Sequence, residues 1–301
     1  MQKPVEHLYS EIFHSIQGEG FYTGFPTLWL RLWACNLQCS GFGQKCPTDP
    51  STYKLPYKDI DPSKFNRLED LPVFEFGCDS SYSWSRKFKH LQHKGTSKEI
   101  YNKLIECMMK DSPNHHGLVK DNHMCFTGGE PMLKHNQEAI IDVMRQFMEE
   151  RNVPPSITIE TNGTQDLAFE EGFVTMIDDY VDNCGGELFW SVSPKLHTVS
   201  GEKSEKAIKP EFVENYYDLS KNGQLKFVAN GTKECWEEVE HVIVLFRRGG
   251  VNYPIWIQPV GSTLEQAQAK TTGQIATQAL KRGYRVSARV HTYLWGNVVG
   301  V

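Results

Sequence analysis

Segments typical of strands and helices alternate along most of the chain, and this alternation restricts the possible folds more than any other feature. Helix signals are clear at Thr96-Ser97-Lys98-Glu99, which has the spacing of a capping box, and over residues 136–150, where apolar residues share one face. Apolar, β-rich runs that predict buried strands lie at 27–33, 123–126, 156–160, 188–192, 224–228 and 255–258. Such alternation predicts an α/β fold in which helices cover a parallel sheet.

Polar motifs directly follow three of these predicted strands. They are Thr127-Gly128-Gly129-Glu130-Pro131, Thr161-Asn162-Gly163-Thr164 and Ser193-Pro194-Lys195. The carboxyl ends of parallel strands meet at one edge of a sheet or barrel, and this is the edge where active sites are assembled. Two adjacent glycines also let a backbone approach a ligand closely. The sequence therefore predicts a ligand site at this edge.

Charge and hydropathy argue against two kinds of partner. The 301-residue chain has a formal net charge of −5, whereas binding to nucleic acid requires clustered Lys and Arg. No stretch reaches the roughly 18 to 20 apolar residues that span a bilayer, and the first residues lack the apolar segment of a secretory signal. We therefore expect a cytoplasmic protein that binds neither nucleic acid nor a membrane.

Eight cysteines are present, and in a reducing compartment they are not expected to form a disulfide framework. Cys35 and Cys39 are close enough in sequence to bind one metal centre, and the candidates for a third ligand are Cys46 and Cys78. On spacing alone, half of a zinc site and two unrelated buried thiols remain open. We interpret the other four cysteines as structural: Cys107, Cys125, Cys184 and Cys235.

The beginning of the chain contains Gln17-Gly18-Glu19-Gly20, Gly24-Phe25-Pro26 and Arg31 ahead of the cysteine pair. With these features it resembles the beginning of the 7-carboxy-7-deazaguanine synthases, a radical S-adenosylmethionine (SAM) family. Phe42 stands where the family has its third cysteine, but Cys78-Asp79-Ser80-Ser81-Tyr82-Ser83-Trp84 reproduces the family's Cys-Asp-Thr…Trp with Ser for Thr. The resemblance thus implies one radical SAM domain over 1–301, with an insertion at about 40–77 between the second and third ligands.

The resemblance implies a modified, incomplete (β/α) barrel that holds a [4Fe–4S] cluster on Cys35, Cys39 and Cys78. Three ligands leave one iron open to SAM, whose cleavage yields a 5′-deoxyadenosyl radical, whereas full cysteine ligation suits simple electron transfer. Ser80 keeps the hydroxyl through which the family binds Mg²⁺, and Asp79 is a second oxygen candidate. The implied SAM-binding residues are Gly128, Gly129, Glu130, Thr161, Asn162, Ser193 and Lys195; Glu130 is expected to neutralise the SAM ammonium.

The same resemblance implies the substrate, 6-carboxy-5,6,7,8-tetrahydropterin, and its radical ring contraction with loss of ammonia to 7-carboxy-7-deazaguanine. The product feeds queuosine-type modified bases. Arg31 would clamp the substrate carboxylate with its planar fork. The implied substrate-binding residues are Ile16, Gln17, Gly18, Glu19, Arg31, Thr127 and His291. An electron donor such as flavodoxin and a homodimer are also expected.

Two other functions remain as alternatives. One is a radical SAM activase with a different substrate, which the match of Gln17-Gly18-Glu19-Gly20 and Arg31 to the pterin-binding pattern disfavours. The other is a non-catalytic zinc-binding interaction module, which would leave Gly128-Gly129-Glu130 and Ser193-Pro194-Lys195 without a purpose.

Overall fold

The computed structural model describes residues 4–300, apart from the side chains of His115 and Glu170, and its framework is one nine-stranded sheet. The strands are β1 His7–Ile16, β2 Pro26–Leu32, β3 His93–Gly95, β4 His123–Gly128, β5 Ser156–Thr161, β6 Glu187–Val192, β7 Gly223–Ala229, β8 Ile255–Pro259 and β9 Arg285–Val286. Their order in the sheet is β3-β1-β2-β4-β5-β6-β7-β8-β9. The α/β class predicted from the alternation is therefore confirmed.

In this order, each strand from β2 to β9 is parallel to its neighbour. The strand β1 is antiparallel to both of its neighbours, β2 and β3. The central strands β4 and β7 are buried over nearly their whole length, as parallel strands are when both faces of the sheet are covered. The parallel sheet expected from the sequence is thus confirmed for its centre, and the antiparallel edge was not predicted.

Eleven α-helical segments connect or flank the strands in the described part of the chain. They are α1 Pro56–Asp59, α2 Ser97–Asp111, α3 Lys134–Glu149, α4 Phe173–Asp178, α5 His197–Ser200, α6 Ser204–Ala207, α7 Pro210–Leu219, α8 Lys233–Arg248, α9 Leu264–Ala267, α10 Lys270–Lys281 and α11 Val290–Trp295. Both bonds of the predicted capping box at Thr96 and Glu99 are present, so α2 begins where the sequence indicates.

The core consists of apolar side chains that pack between the sheet and its helices. Leu28 and Leu30 of β2 meet Ile100 and Leu104 of α2, and all four are fully buried. Among the helices that the structure describes, none has both the length and the apolar character needed to span a bilayer.

The segment at 40–77 has a small core of its own. It contains α1 and three single turns of 3-10 helix, at Pro50–Thr52, Pro62–Lys64 and Leu68–Asp70. Its apolar side chains pack with residues that follow Cys78 and with the end of the chain. This cluster comprises Tyr57, Leu68, Leu71, Phe74, Tyr82, Phe88 and Leu91, with Leu55, Ile60, Phe65, Trp84 and Val299 against it. The segment is therefore anchored to the body of the protein at several points.

Candidate active site

A cavity of about 290 Å³ lies where the carboxyl ends of the parallel strands meet. Every predicted site residue except Glu130 lines it. These residues are Ile16, Gln17, Gly18, Glu19, Arg31, Cys35, Cys39, Cys78, Ser80, Thr127, Gly128, Gly129, Thr161, Asn162, Ser193, Lys195 and His291. Motifs that are far apart in sequence therefore share one space, at the edge of the sheet predicted from their positions after strands.

Three thiols, those of Cys35, Cys39 and Cys78, lie together on one wall beside Leu37. Burial raises the pKa of the Cys35 thiol to about 12 and raises the pKa values of Cys39 and Cys78 as well. Buried thiols of this kind are protonated when no metal is bound and lose their protons to a soft metal centre. The other candidate for the third ligand, Cys46, is exposed and does not line the cavity.

The donors on this wall are thiols, the ligand type of iron–sulfur clusters. Within the described residues, the cavity is lined by three cysteines and one histidine, and His291 packs against Gly18. No three His, Cys, Asp or Glu side chains in residues 4–300 are grouped so as to hold a metal ion. The thiols therefore share a wall without forming a compact site for one ion.

The glycine pair of the Gly128-Gly129-Glu130 motif packs against the strand end that carries Cys35. The pairing of β4 with β2 continues past both strands, because Gly129 N donates to Leu32 O (3.3 Å) and Glu130 N to Ala34 O (2.8 Å). A Cβ atom on Gly129 would lie 2.1 Å from Ala34 O. Gly128 has a φ of +153°, which side chains rarely adopt. Because neither glycine has a side chain, the backbone after β4 can pack closely against the loop that carries Cys35 and hold it in place.

The Glu130 carboxylate lies behind the cavity wall and is fully buried. Its oxygens accept hydrogen bonds from Thr161 Oγ1 (2.6 Å), Asn162 N (2.8 Å) and Met132 N (2.9 Å). Burial raises the pKa of Glu130, against the lowering effect of these donors. The carboxylate thus joins the loops that follow β4 and β5, and its expected role toward the SAM ammonium stays a prediction.

A second carboxylate, Glu202, holds the loop that carries Cys39. Its Oε1 accepts hydrogen bonds from Gln38 N (2.7 Å) and Cys39 N (2.8 Å). No motif in the sequence marks Glu202, and it is 163 residues from Cys39. Sequence reasoning therefore missed it.

Polar groups expected to bind a cofactor flank the thiol wall. Asn162 Nδ2 donates to Asn36 Oδ1 (3.1 Å) and lies 4.0 Å from Cys35 Sγ. Lys195 Nζ donates to Ser193 Oγ (3.0 Å). The amide of Asn162 follows β5, and the hydroxyl of Ser193 and the ammonium of Lys195 follow β6. All three groups lie on the same side of the cavity as the cysteines.

Another part of the cavity is rich in paired charges. Glu160 accepts hydrogen bonds from Gln17 Nε2 (3.2 Å) and Thr127 Oγ1 (3.1 Å). Arg31 Nε lies 2.5 Å from Glu11 Oε1, which also accepts a hydrogen bond from Tyr82. Burial alone would lower the pKa of Arg31, but the neighbouring Tyr82 and Glu11 outweigh burial and raise it. Arg31 is therefore a fixed guanidinium at the cavity wall.

Glu19 is the centre of an ionic network. It pairs with Lys226 and with Arg289 (Oε1 to Nε, 2.9 Å), and Arg289 Nη2 lies 2.7 Å from Asp79 Oδ2. Burial alone would raise the pKa values of Glu19 and Asp79, but the adjacent cations outweigh burial and lower both. Lys226 and Arg289 were not predicted as site residues.

The oxygen ligands expected for Mg²⁺ do not form a suitable site. Ser80 Oγ lies 3.5 Å from Cys78 Sγ, and the neighbouring Asp79 carboxylate is bound to the Arg289 guanidinium. Mg²⁺ requires near-octahedral oxygen coordination at about 2.0–2.1 Å. The residues around Ser80 therefore fit this ion poorly, whereas the three thiols fit a cluster.

Comparisons with known proteins agree with the motifs. No protein-family model matches the chain. It is similar to curated 7-carboxy-7-deazaguanine synthases from Pyrobaculum aerophilum (25% identity, covering 96% of this chain and 95% of the relative) and from Thermoplasma acidophilum (25%, covering 98% and 100%). A third relative of the same name, from Geobacter sulfurreducens, is 24% identical and covers 96% of each chain. The resemblance inferred from the motifs is thereby confirmed.

A solved structure supports the fold. The crystal structure of QueE from Escherichia coli superposes on this chain with a TM-score of 0.51, covering 95% of each chain at 17% sequence identity. The similarity extends over nearly the full length of both proteins.

Proposed function

We propose that this chain, a relative of the 7-carboxy-7-deazaguanine synthases over nearly its whole length, converts 6-carboxy-5,6,7,8-tetrahydropterin to 7-carboxy-7-deazaguanine. The reaction is a radical ring contraction with loss of ammonia. One observation carries the proposal: Cys35, Cys39 and Cys78, the three cysteines among the described residues that line the cavity, share one wall of it, and the fixed guanidinium of Arg31 lines the same cavity. A [4Fe–4S] cluster held by three thiolates has one iron without a protein ligand, and that iron can bind SAM.

The fold we propose is the modified, incomplete barrel of the radical SAM type, with the segment at about 40–77 as an insertion in this single domain. The loop between β1 and β2 supports this, because Phe21 N donates to Gln224 Oε1 of β7 (3.1 Å). Gly20 N likewise donates to Ser287 Oγ, just after β9 (2.9 Å). A sheet that is nine strands wide brings such distant members together only when it curves strongly.

Within this site the residues have separate tasks. Cys35, Cys39 and Cys78 would hold the [4Fe–4S] cluster, and the chemistry that a cluster supplies with bound SAM is reductive cleavage of the sulfonium carbon–sulfur bond. The nearby polar groups would orient SAM: the backbone of Gly128 and Gly129, and the side chains of Thr161, Asn162, Ser193 and Lys195.

Substrate would bind among the paired charges. Arg31 has its Nε engaged by Glu11, which fixes the plane of the guanidinium and presents its outer edge to a carboxylate. Gln17 and Thr127 are held by Glu160, and His291 packs over Gly18. Burial lowers the pKa of His291, so its imidazole is neutral at pH 7 and offers a hydrogen bond without a charge.

The setting that we propose is a reducing cytoplasm. An electron donor such as flavodoxin would reduce the cluster there. The product would supply queuosine-type base modification, and a homodimer is the assembly we propose.

The decisive experiment is anaerobic reconstitution with iron and sulfide, followed by incubation with SAM, a reductant and the carboxypterin. We expect a brown protein that forms 7-carboxy-7-deazaguanine. Formation of 5′-deoxyadenosine without this product would favour a radical SAM activase, and a colourless protein that contains zinc would favour the interaction module.

A pair of substitutions tests the ligands independently of turnover. Cys78→Ala should lose most of its iron, whereas Cys46→Ala should keep it, because Cys46 lies at the surface. Loss of iron in Cys46→Ala with retention in Cys78→Ala would show that the ligand assignment is wrong.

A further inference from the structure

Asp79 follows the third cluster cysteine, and its carboxylate already has a cation. Arg289 Nη2 lies 2.7 Å from Asp79 Oδ2. The same guanidinium donates from Nε to Glu19 Oε1 (2.9 Å), from Nη1 to Gly261 O (2.8 Å) and from Nη2 to Asn297 Oδ1 (3.3 Å). The Arg289 side chain thus makes four hydrogen bonds and is only 13% exposed, so its guanidinium is held in one position.

The Asp79 carboxylate already lies among cations. Arg289 contacts both Asp79 and Glu19, and Lys226 also contacts Glu19. Arg31, which is itself paired with Glu11, adds its field at Asp79. A divalent ion beside Asp79 would therefore lie next to cations that have already neutralised its ligand. Solvent screens this repulsion only in part, because the Arg289 side chain is 13% exposed and the Asp79 side chain 34%.

The Arg289 side chain is also placed to act on a ligand. It lines the cavity together with Ser80 and His291, so its charge faces the space that a ligand would fill. A guanidinium keeps its charge at all physiological pH values and offers hydrogen bonds to carboxylates in a fixed plane.

We propose that the Arg289 guanidinium takes the place of a Mg²⁺ ion beside Asp79 and Ser80, so that this site operates without a divalent cation. The turnover part of this inference rests on the proposed function, whereas the metal-binding part does not. The structure also accounts for Ser at position 80: its hydroxyl need not be a metal ligand, and it lies beside Cys78 Sγ instead.

The test uses Mn²⁺ as the probe, because Mn²⁺ accepts the same oxygen ligands as Mg²⁺ and its free form is counted by electron paramagnetic resonance. Cluster-reconstituted protein is titrated with Mn²⁺ in the presence of SAM. We expect no stoichiometric binding by the wild type and one Mn²⁺ per chain in Arg289→Gln, where Asp79 is released. Asp79→Asn added to Arg289→Gln should abolish that binding.

Turnover gives the second readout. Wild-type turnover should be the same with EDTA as with Mg²⁺, whereas Arg289→Gln should be slower by about tenfold or more, since it loses charge-assisted hydrogen bonds. Added Mg²⁺ should restore part of this loss. Arg289→Lys keeps the charge and should not gain the Mn²⁺ site, and Arg248→Gln, exposed at the end of α8, is the matched control.

Three results would overturn the inference. They are stoichiometric Mn²⁺ binding by the wild type that Asp79→Asn removes, wild-type turnover that EDTA abolishes and Mg²⁺ restores, and Arg289→Gln that turns over at the wild-type rate in EDTA without gaining Mn²⁺. A chain that never converts the carboxypterin contradicts the proposed function instead, and the Mn²⁺ titration then decides the inference alone.

Discussion

Replacement of the buried Glu130 by Gln would show whether this carboxylate holds the protein together or contacts a ligand. The carboxylate accepts three hydrogen bonds, from Thr161 Oγ1, Asn162 N and Met132 N. Gln has one acceptor oxygen in its side chain, so its amide nitrogen must face one of these donors. If the oxygen stays at the position that serves Thr161 and Met132, the buried N–H of Asn162 loses its partner.

The size of the effect follows from these contacts. An unpaired buried N–H costs about 1–3 kcal/mol, and two charge-assisted bonds that become neutral cost about 1 kcal/mol each. Relief of the buried charge, which is what raises the pKa of Glu130, offsets part of this sum. We therefore expect the free energy of unfolding to fall by about 2 kcal/mol, which lowers Tm by roughly 3 °C in a chain of this size.

Thermal unfolding of the cluster-free protein, followed by circular dichroism, measures this loss without any ligand. The matched control is Glu138→Gln, at an exposed position of α3, which should leave Tm unchanged. If Glu130→Gln keeps the wild-type Tm but binds SAM much more weakly in calorimetry, the carboxylate contacts the cofactor, and our account of its role is wrong.

Three further predictions concern other positions. Gly129→Ala should lower the iron content after reconstitution, measured by plasma emission, because its Cβ would overlap Ala34 O and displace the cysteine loop. Glu202→Ala should speed the loss of iron to a chelator, followed by absorbance, since two N–H groups of the Cys39 loop lose their acceptor. Burial lowers the pKa of His123 to about 4, whereas the unfolded chain binds this proton below about pH 6.5. The free energy of unfolding should therefore fall by up to about 3 kcal/mol between pH 7 and pH 4. In chemical denaturation, His123→Gln should remove this fall, and a variant with the wild-type pH profile would contradict the prediction.

The central strands were predictable because their signals are local. Runs of apolar residues at 123–126 and 188–192 fill strands that are buried on both faces, and a continuous apolar run requires no knowledge of distant partners. The first strand, β1, was missed for the opposite reason. Its inward-facing side chains include Glu11, which is buried against Arg31 and interrupts the apolar pattern that would reveal a strand.

The motif residues of the site were predictable, but the contacts that place them were not. The motifs follow strands, so the topology of a parallel sheet is enough to bring them to one edge. Glu202, Lys226 and Arg289 act over separations of 163, 207 and 210 residues, and no local pattern specifies such pairs. The position of Glu130 behind the wall also depends on how two loops pack, which composition does not determine.

Buried or partly buried carboxylates hold several loops of the site in place. Glu130 joins the loops after β4 and β5, Glu202 caps the Cys39 loop, and Glu19 with Asp79 receives Arg289. A buried carboxylate is tolerated only when donors surround it, so each one makes the wrong loop arrangement costly as well as the right one stable. A neutral substitution at any of these positions should therefore disturb the loop that the carboxylate holds before it weakens contact with a ligand, and loss of cluster or of stability should precede loss of substrate affinity.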